Sequence, residues 1–339
     1  MKHRKLVRGL VAGLSLTALS GLAVGAQSST VTVGSAGVIR YLEKGQPPVV
    51  IHLTVEQAQS MREAHEAHGK TGGGTTSNLI YNGGTGGIGV ETAPKIYLVF
   101  WGSQWTGNDP SGEASTLESF LNSIGGSPWL NTVTQYCQGV SSGTIFCNGS
   151  GTPVGNQAFM LAGSWKDNTS AAPNKPTQSQ IAAEAVRAAH YFGNTGAGSN
   201  DTTQYVIATA NGYNSSGFGK QYCAYHSYTT SSYGDIAYTN LPYITDAGTS
   251  CGANFNGLGA NAGITIVEGH EAAETMTDQF PSTGWLDSSG SEIGDKCAWI
   301  SSGQGASADV TFPDGQNYPV QSLWSNAFDG GTGGCVLSY

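Results

Sequence analysis

Charge is scarce in this sequence: Asp, Glu, Lys and Arg make up only 11% of its 339 residues. Few ion pairs can form, so Gly, Ser, Thr and Asn must supply most of the polar surface. The cations are the scarcer sign, 14 Lys and Arg against 23 Asp and Glu. That leaves no cationic field for nucleic acid or an anionic membrane. A surface so poor in ion pairs suits an acidic exterior, where such pairs fail. No apolar run beyond the N-terminal leader is long enough to span a bilayer. Also missing are the C-x-x-C pairs of structural zinc sites, a glycine loop placed to cradle phosphate, and any repeat of solenoid period. Runs such as Ser141-Ser142-Gly143 lack the strand–elbow–helix setting of a hydrolase serine.

What is present begins with that leader. Lys2, Arg4, Lys5 and Arg8 precede an apolar stretch from Leu10 to Val24 and small residues up to Ala26. Residues 1–26 read as a signal peptide cut after Ala26, and the protein as secreted. Cleavage removes four cations and no anions, leaving ten Lys and Arg against 23 Asp and Glu, a net charge of −13. Six cysteines in an exported chain imply three disulfides. Pairing by neighbourhood gives Cys137–Cys147, Cys223–Cys251 and Cys297–Cys335.

Residues 27–91 differ from the rest. Val38–Tyr41 and Val49–Leu53 read as short strands, and Thr54-Val55-Glu56-Gln57 as a capping box opening a helix that stops at Gly69. A Gly/Thr/Ser/Asn-rich linker runs from Gly69 to Gly89. This is either a cleavable pro-segment or an extension that packs on the main domain and stays. The main domain, 92–339, is expected to be α+β: a central mixed sheet, a few helices and disulfide-tied loops. Lys95–Trp101 and Gln204–Ala210 read as buried strands, and Ala114–Ile124, Ser179–His190 and Asn261–Asp278 as helices. The Gly-, Ser- and Asn-rich remainder is expected to be loop or short strand. Trp101, Trp105 and Trp285 are candidates to line a groove for sugars or peptides.

The chemistry concentrates in the last of those helices. His270 and Glu274 stand at i and i+4, one turn apart on one face, the spacing by which a helix grips a metal ion. Glu271 lies beside them, placed to act as general base on a metal-bound water. The pattern is H-E-x-x-E, a relative of the metalloprotease H-E-x-x-H. On a helix rich in Gly and Ala, two carboxylates and an imidazole are costly to bury unless paired or metal-bound. Glu292 is the first candidate for a third ligand, because a turn at Ser288-Ser289-Gly290 brings the chain back past the helix; Asp295 and Asp278 are the alternatives. Asp278 is equally suited to cap the helix end or pair with Lys296. His226, next to Cys223, is a candidate further ligand or transition-state stabiliser, with Tyr225 or Tyr228 as donors to a developing oxyanion. One His with two carboxylates would leave a zinc site formally neutral and acidify its water less than three imidazoles do, and harder ions such as manganese or calcium tolerate carboxylates better. His65 and His68 mimic a metal pair, but their spacing and charged neighbours suit a solvated helix face.

Taken together, these blocks resemble a family. Ile96–Gly102, Cys223-Ala224-Tyr225-His226, the helix from His270 to Glu274, Trp285 and Glu292–Cys297 are similar in order and rough spacing to the Exordium-like, or phosphate-induced, proteins of plant cell walls and their bacterial relatives. The resemblance runs over residues 93–339. It implies an extracellular, disulfide-bonded domain with His226, His270, Glu274 and Glu292 close in space, and it brings no established reaction. Asp278 and the long N-terminus depart from the plant pattern. Both pull towards a bacterial secreted hydrolase with a zincin-like active helix.

The expectation is therefore a secreted, monomeric, metal-dependent hydrolase, first of all a peptidase, with zinc as the divalent ion. His270, Glu274 and Glu292 would hold it, and the substrate would be an extracellular peptide or cell-wall polymer. Two rivals stand beside it. One is a non-catalytic glycan-binding protein with a structural His/Glu site, and the other a metal-free acid hydrolase using Glu271 and Glu274.

Overall fold

The computed structural model describes residues 38–69 and 78–339; the expected leader and residues 70–77 of the expected linker lie outside the described residues. Its centre is a mixed sheet of seven strands: β1 (Ile39–Arg40), β2 (Val49–His52), β3 (Lys95–Trp101), β4 (Leu161–Asp167), β5 (Thr203–Thr209), β6 (Ala224–Ser231) and β7 (Gly234–Leu241), in the order β1-β2-β6-β7-β5-β3-β4. Strands β7, β5, β3 and β4 run parallel, and β6, β2 and β1 complete the sheet antiparallel. The α+β expectation holds. β3 and β5 are the apolar runs read from the sequence, and parallel strands covered on both faces carry such runs.

The composition predicts loop or short strand over 161–167, 224–231 and 234–241, and the structure corrects this to full strands. Those segments hold Thr, Tyr, Ser and Trp rather than an aliphatic run, so they fit a pleated surface without announcing a core. Gly234, at φ 91°, makes the turn between β6 and β7.

Helices α1 (Val55–Gly69), α2 (Glu113–Ser123), α3 (Gln178–Tyr191) and α4 (Ala262–Thr277) lie close to their expected bounds. The Thr54 capping box forms: the Thr54 N–H donates to Gln57 Oε1 at 3.1 Å and the Gln57 N–H to Thr54 Oγ1 at 3.4 Å. α3 packs on one face of the sheet. α4 packs on the face that carries His226, where Gln204 of β5 donates to the Ala272 carbonyl. The three disulfides join the expected cysteines, which fits an oxidising compartment. Among the described residues no helix is long and apolar enough to cross a membrane.

Trp101, Trp105 and Trp285 line no groove. They are core residues at 5, 7 and 0% exposure. The indole N–H groups of Trp105 and Trp285 donate to the Ala208 and Cys137 carbonyls.

Candidate metal centre

α4 carries its polar stripe into the interior. All sixteen of its residues are buried, which excludes a solvated polar face. Small residues permit the close packing: a Cβ on Gly269 would meet Trp129 and Phe120 at 3.1 and 3.2 Å. Facing α4 is β6, whose alternation turns His226 towards the helix and Tyr225 to the opposite face of the sheet. Tyr225 packs on Tyr222, and Tyr228 on Phe280.

The third wall is the chain after β6 and α4 have crossed. Asp287 organises the turn at 288–291, accepting from the Ser289 and Ser291 N–H groups at 2.9 and 3.0 Å. Lys296 pairs with Asp287 at 2.7 Å rather than with Asp278. Asp278 receives the N–H groups of Ser282, Thr283 and Gly284, so it caps the turn beyond α4. Cys297–Cys335 and the Trp324 N–H to Ile293 carbonyl bond hold the returning segment in place. From there the N–H groups of Gly294 and Asp295 donate to Glu274 Oε1 at 3.1 and 2.8 Å.

The tautomer of His270 follows from its neighbours. Gln321 Nε2 donates to the Gly294 and Ser322 carbonyls at 2.8 and 3.2 Å, which turns Gln321 Oε1 towards His270 Nδ1 at 3.2 Å. Nδ1 therefore carries the proton and Nε2 offers a lone pair. That lone pair faces Glu274 Oε2 at 3.0 Å without hydrogen-bond geometry, and Asp295 Oδ1 at 3.8 Å. His226 Nδ1 lies 3.1 Å from Glu271 Oε2 and 3.7 Å from Glu274 Oε2, and its Nε2 lies 3.5 Å from Glu292 Oε2.

His226, Glu274 and Glu292 each bring a ligand atom within 4.8 Å of the others, and so do His270, Glu274 and Asp295. Glu274 belongs to both sets. The structure thus gathers His270, Glu274, Glu292, Asp295 and His226 into one cluster, with Glu292 on the His226 side and Asp295 on the His270 side.

Burial opposes the charged forms of the cluster's carboxyls and of His270. It pushes the Glu274 and Glu292 carboxyls well above the usual range, and neighbouring Asp278, Glu274 and Asp295 push Glu292 further. Burial raises Glu271 against the pull of His226, and raises Asp295 together with the Glu274 charge. Burial raises Asp278 only to about 6, because a hydrogen bond with Glu292 and then its turn N–H groups oppose it. His270 is pushed down to about 4, again by burial.

Three further residues escaped the sequence reading. Gln321 orients His270. Gly294 approaches so closely that a Cβ would lie 2.6 Å from His270 Nδ1 and 3.0 Å from Glu274 Oε1. His52 of β2 stacks on His270 with ring centroids 3.8 Å apart and planes 2° from parallel. Its one sequence signal is an imidazole inside an otherwise apolar strand, Val49-Val50-Ile51-His52-Leu53. A surface groove of about 710 Å³ lies elsewhere, lined by Ser115, Ser119, Asn261, Asp314 and Tyr318, and contains none of these groups.

Compared with protein-family models, curated proteins and solved structures, the chain matches none.

Proposed function

We propose that this chain is a secreted hydrolase that uses a divalent metal ion, zinc first, and acts on peptides. One observation carries the metal: a fixed imidazole lone pair faces a carboxylate oxygen at 3.0 Å, fully buried, with no hydrogen bond between them. Two acceptors so placed repel unless a cation or proton lies between them. His226 Nε2 and both oxygens of Glu292 also lack hydrogen-bond partners. The donor set of imidazole and carboxylate suits zinc.

Glu274 would hold the ion with one of two sets, His270 and Asp295 or His226 and Glu292; the expected trio of His270, Glu274 and Glu292 is not one of the gathered sets. The ion supplies Lewis acidity and makes water more acidic. Glu271 is the proton acceptor: Oε1 has no hydrogen-bond partner, and Oε2 is oriented by His226 at 3.1 Å. The leader sequence, the disulfides and the resemblance to Exordium-like proteins support an extracellular setting.

Metal analysis of the natively secreted protein is the first test, and stoichiometric zinc is expected. Glu271→Gln should then lower kcat by roughly 10²–10⁴-fold, the range for a positioned general base, while leaving zinc content and fold intact. Protein purified without metal would remove the basis of this reading.

A second reading draws on a different observation. His226, His270, Glu271, Glu274 and Glu292 are all at 0% exposure, as befits a structural ion in a non-catalytic wall- or glycan-binding protein. Under it, Glu271→Gln alters no turnover and removal of zinc lowers Tm.

A further inference from the structure

The closure of the site has an identifiable cause. β2 comes from the N-terminal segment and lies antiparallel on β6, pairing Val50 with His226 and His52 with Ala224. By the two-residue period of a strand, Val50 and His52 face α4 alongside His226. The His52 ring lies between His270, at 3.8 Å, and Trp299, at 5.0 Å. One His52 nitrogen lies within 4.8 Å of both His270 and Glu271 ligand atoms, and neither ring nitrogen has a hydrogen-bond partner. An imidazole from outside the main domain thus fills the space beside the proposed base, where a reacting group must sit.

The polar contacts of β2 are ones any extended chain can make, while Val49, Val50, Ile51 and Leu53 add apolar side chains buried in the core. The Cys223 N–H donates to the His52 carbonyl at 2.8 Å, Ser227 Oγ to the Pro48 carbonyl at 2.7 Å, and Trp299 Nε1 to the Leu53 carbonyl at 2.7 Å. Further on, Arg62 of α1 donates to the Ala298 and Trp299 carbonyls. In each case the segment's backbone or one long side chain carries the bond, which is the chemistry of strand addition to a sheet edge. The sequence joining this segment to the main domain is rich in Gly and Thr, Gly69-Lys70-Thr71-Gly72-Gly73-Gly74-Thr75-Thr76.

Building on the proposed hydrolase reading, we infer that residues 38–69 are a removable cover on the substrate edge of β6. The partner that edge takes in their place is an extended polypeptide running antiparallel to Ala224–His226. A substrate bound as β2 is bound puts an apolar side chain at the Val50 position and its reacting carbonyl region beside Glu271, where His52 now lies. The intact chain is accordingly latent.

The test uses the full chain with a recognition site for a specific endoprotease inserted among residues 70–77. The protein is folded, loaded with zinc, cut, and taken through increasing urea to release 38–69. Three readouts follow: circular dichroism of the remaining chain, the rate at which a colorimetric chelator takes the zinc, and turnover of an unfolded polypeptide. Release is expected to leave 78–339 folded, to speed zinc capture at least tenfold and to raise turnover at least tenfold. Synthetic 38–69 should restore the slow state, and the same peptide with His52→Ala should do so at least tenfold less well. The inference is overturned if 78–339 unfolds whenever the segment leaves, or if the intact chain is already as active as the released one. Faster zinc capture, reversed by the peptide in a His52-dependent way but with no polypeptide hydrolysed, supports the cover and removes the peptidase reading. A released chain without zinc but with His52-dependent peptide binding does the same for the metal.

Discussion

At the scale of single residues, the cluster depends as much on what is small as on what is charged. Gly294 has ordinary right-handed backbone angles, φ −85° and ψ −41°, so its glycine is required by proximity to His270 and not by conformation. Gly294→Ala should push the imidazole off Gln321 and weaken zinc binding by about 10–100-fold, the usual cost of losing an outer-sphere partner. Zinc titration against a competing chelator measures this, and unchanged affinity would mean that the ring has room to move. Position 294 also shows where sequence reading stops. His270, Glu271 and Glu274 are legible because helical periodicity fixes which side chains share a face. Gly294, Gln321 and His52 reach the same site from three other segments, and no local period links them to α4. His226 is within reach because it lies close to Cys223, and Glu292 because it follows the turn at Ser288-Ser289-Gly290.

At the scale of elements, the segment 292–297 positions two carboxylates and two donors to Glu274, yet it contains no strand or full helix of its own. Its rigidity comes from Cys297–Cys335, which closes a separation of 38 residues, and from Lys296, which pairs with Asp287 and lies 4.2 Å from the Trp324 ring centroid. Replacing both cysteines, Cys297→Ser with Cys335→Ser, should lower stability by about 2–5 kcal/mol. The zinc-loaded protein should lose more than the apo one, because a variant whose loosened segment binds zinc more weakly gains less stability from it by mass action. Thermal unfolding with and without zinc reads both effects; equal losses would show that the bridge acts independently of the site. β3 and β5 could be read from aliphatic runs, and the helices from caps and periodicity. β6 and β7 could not, since Tyr, Thr and Ser in alternation acquire their meaning only from the sheet and helix packed against them. The strand that carries His226 was therefore the least legible part of the site's frame.

At the scale of the whole molecule, buried carboxyls outside the metal cluster set a pH dependence. Glu91 and Glu113 are both pushed up to about 8 by burial, against hydrogen bonds from Gln204 and from the Ile244 and Thr245 N–H groups. In the unfolded chain both ionise near 4.5. Between those values the folded protein holds protons that the unfolded chain has released, so stability falls as pH rises and levels off above about 8. Buried His52 is pushed well below its usual 6.5, by burial and then by the charge of His270, and acts in the opposite sense: its contribution grows with pH, but only up to about 6.5. From pH 6.5 to 8 the carboxyls therefore act unopposed by that imidazole, and the excess of 23 Asp and Glu over 14 Lys and Arg adds self-repulsion of the same sign. Calorimetry of the zinc-loaded protein should show Tm falling across that window, with a shallower fall in Glu91→Gln, where the ionisation is gone and the neutral contact to Gln204 can be kept. A Tm that rises from 6.5 to 8 would mean that those carboxyls are ionised in the fold. The expected fall favours mildly acidic surroundings, the setting that the scarcity of charge in the sequence also favours: Glu91 and Glu113 are buried against amide groups rather than paired with Lys or Arg.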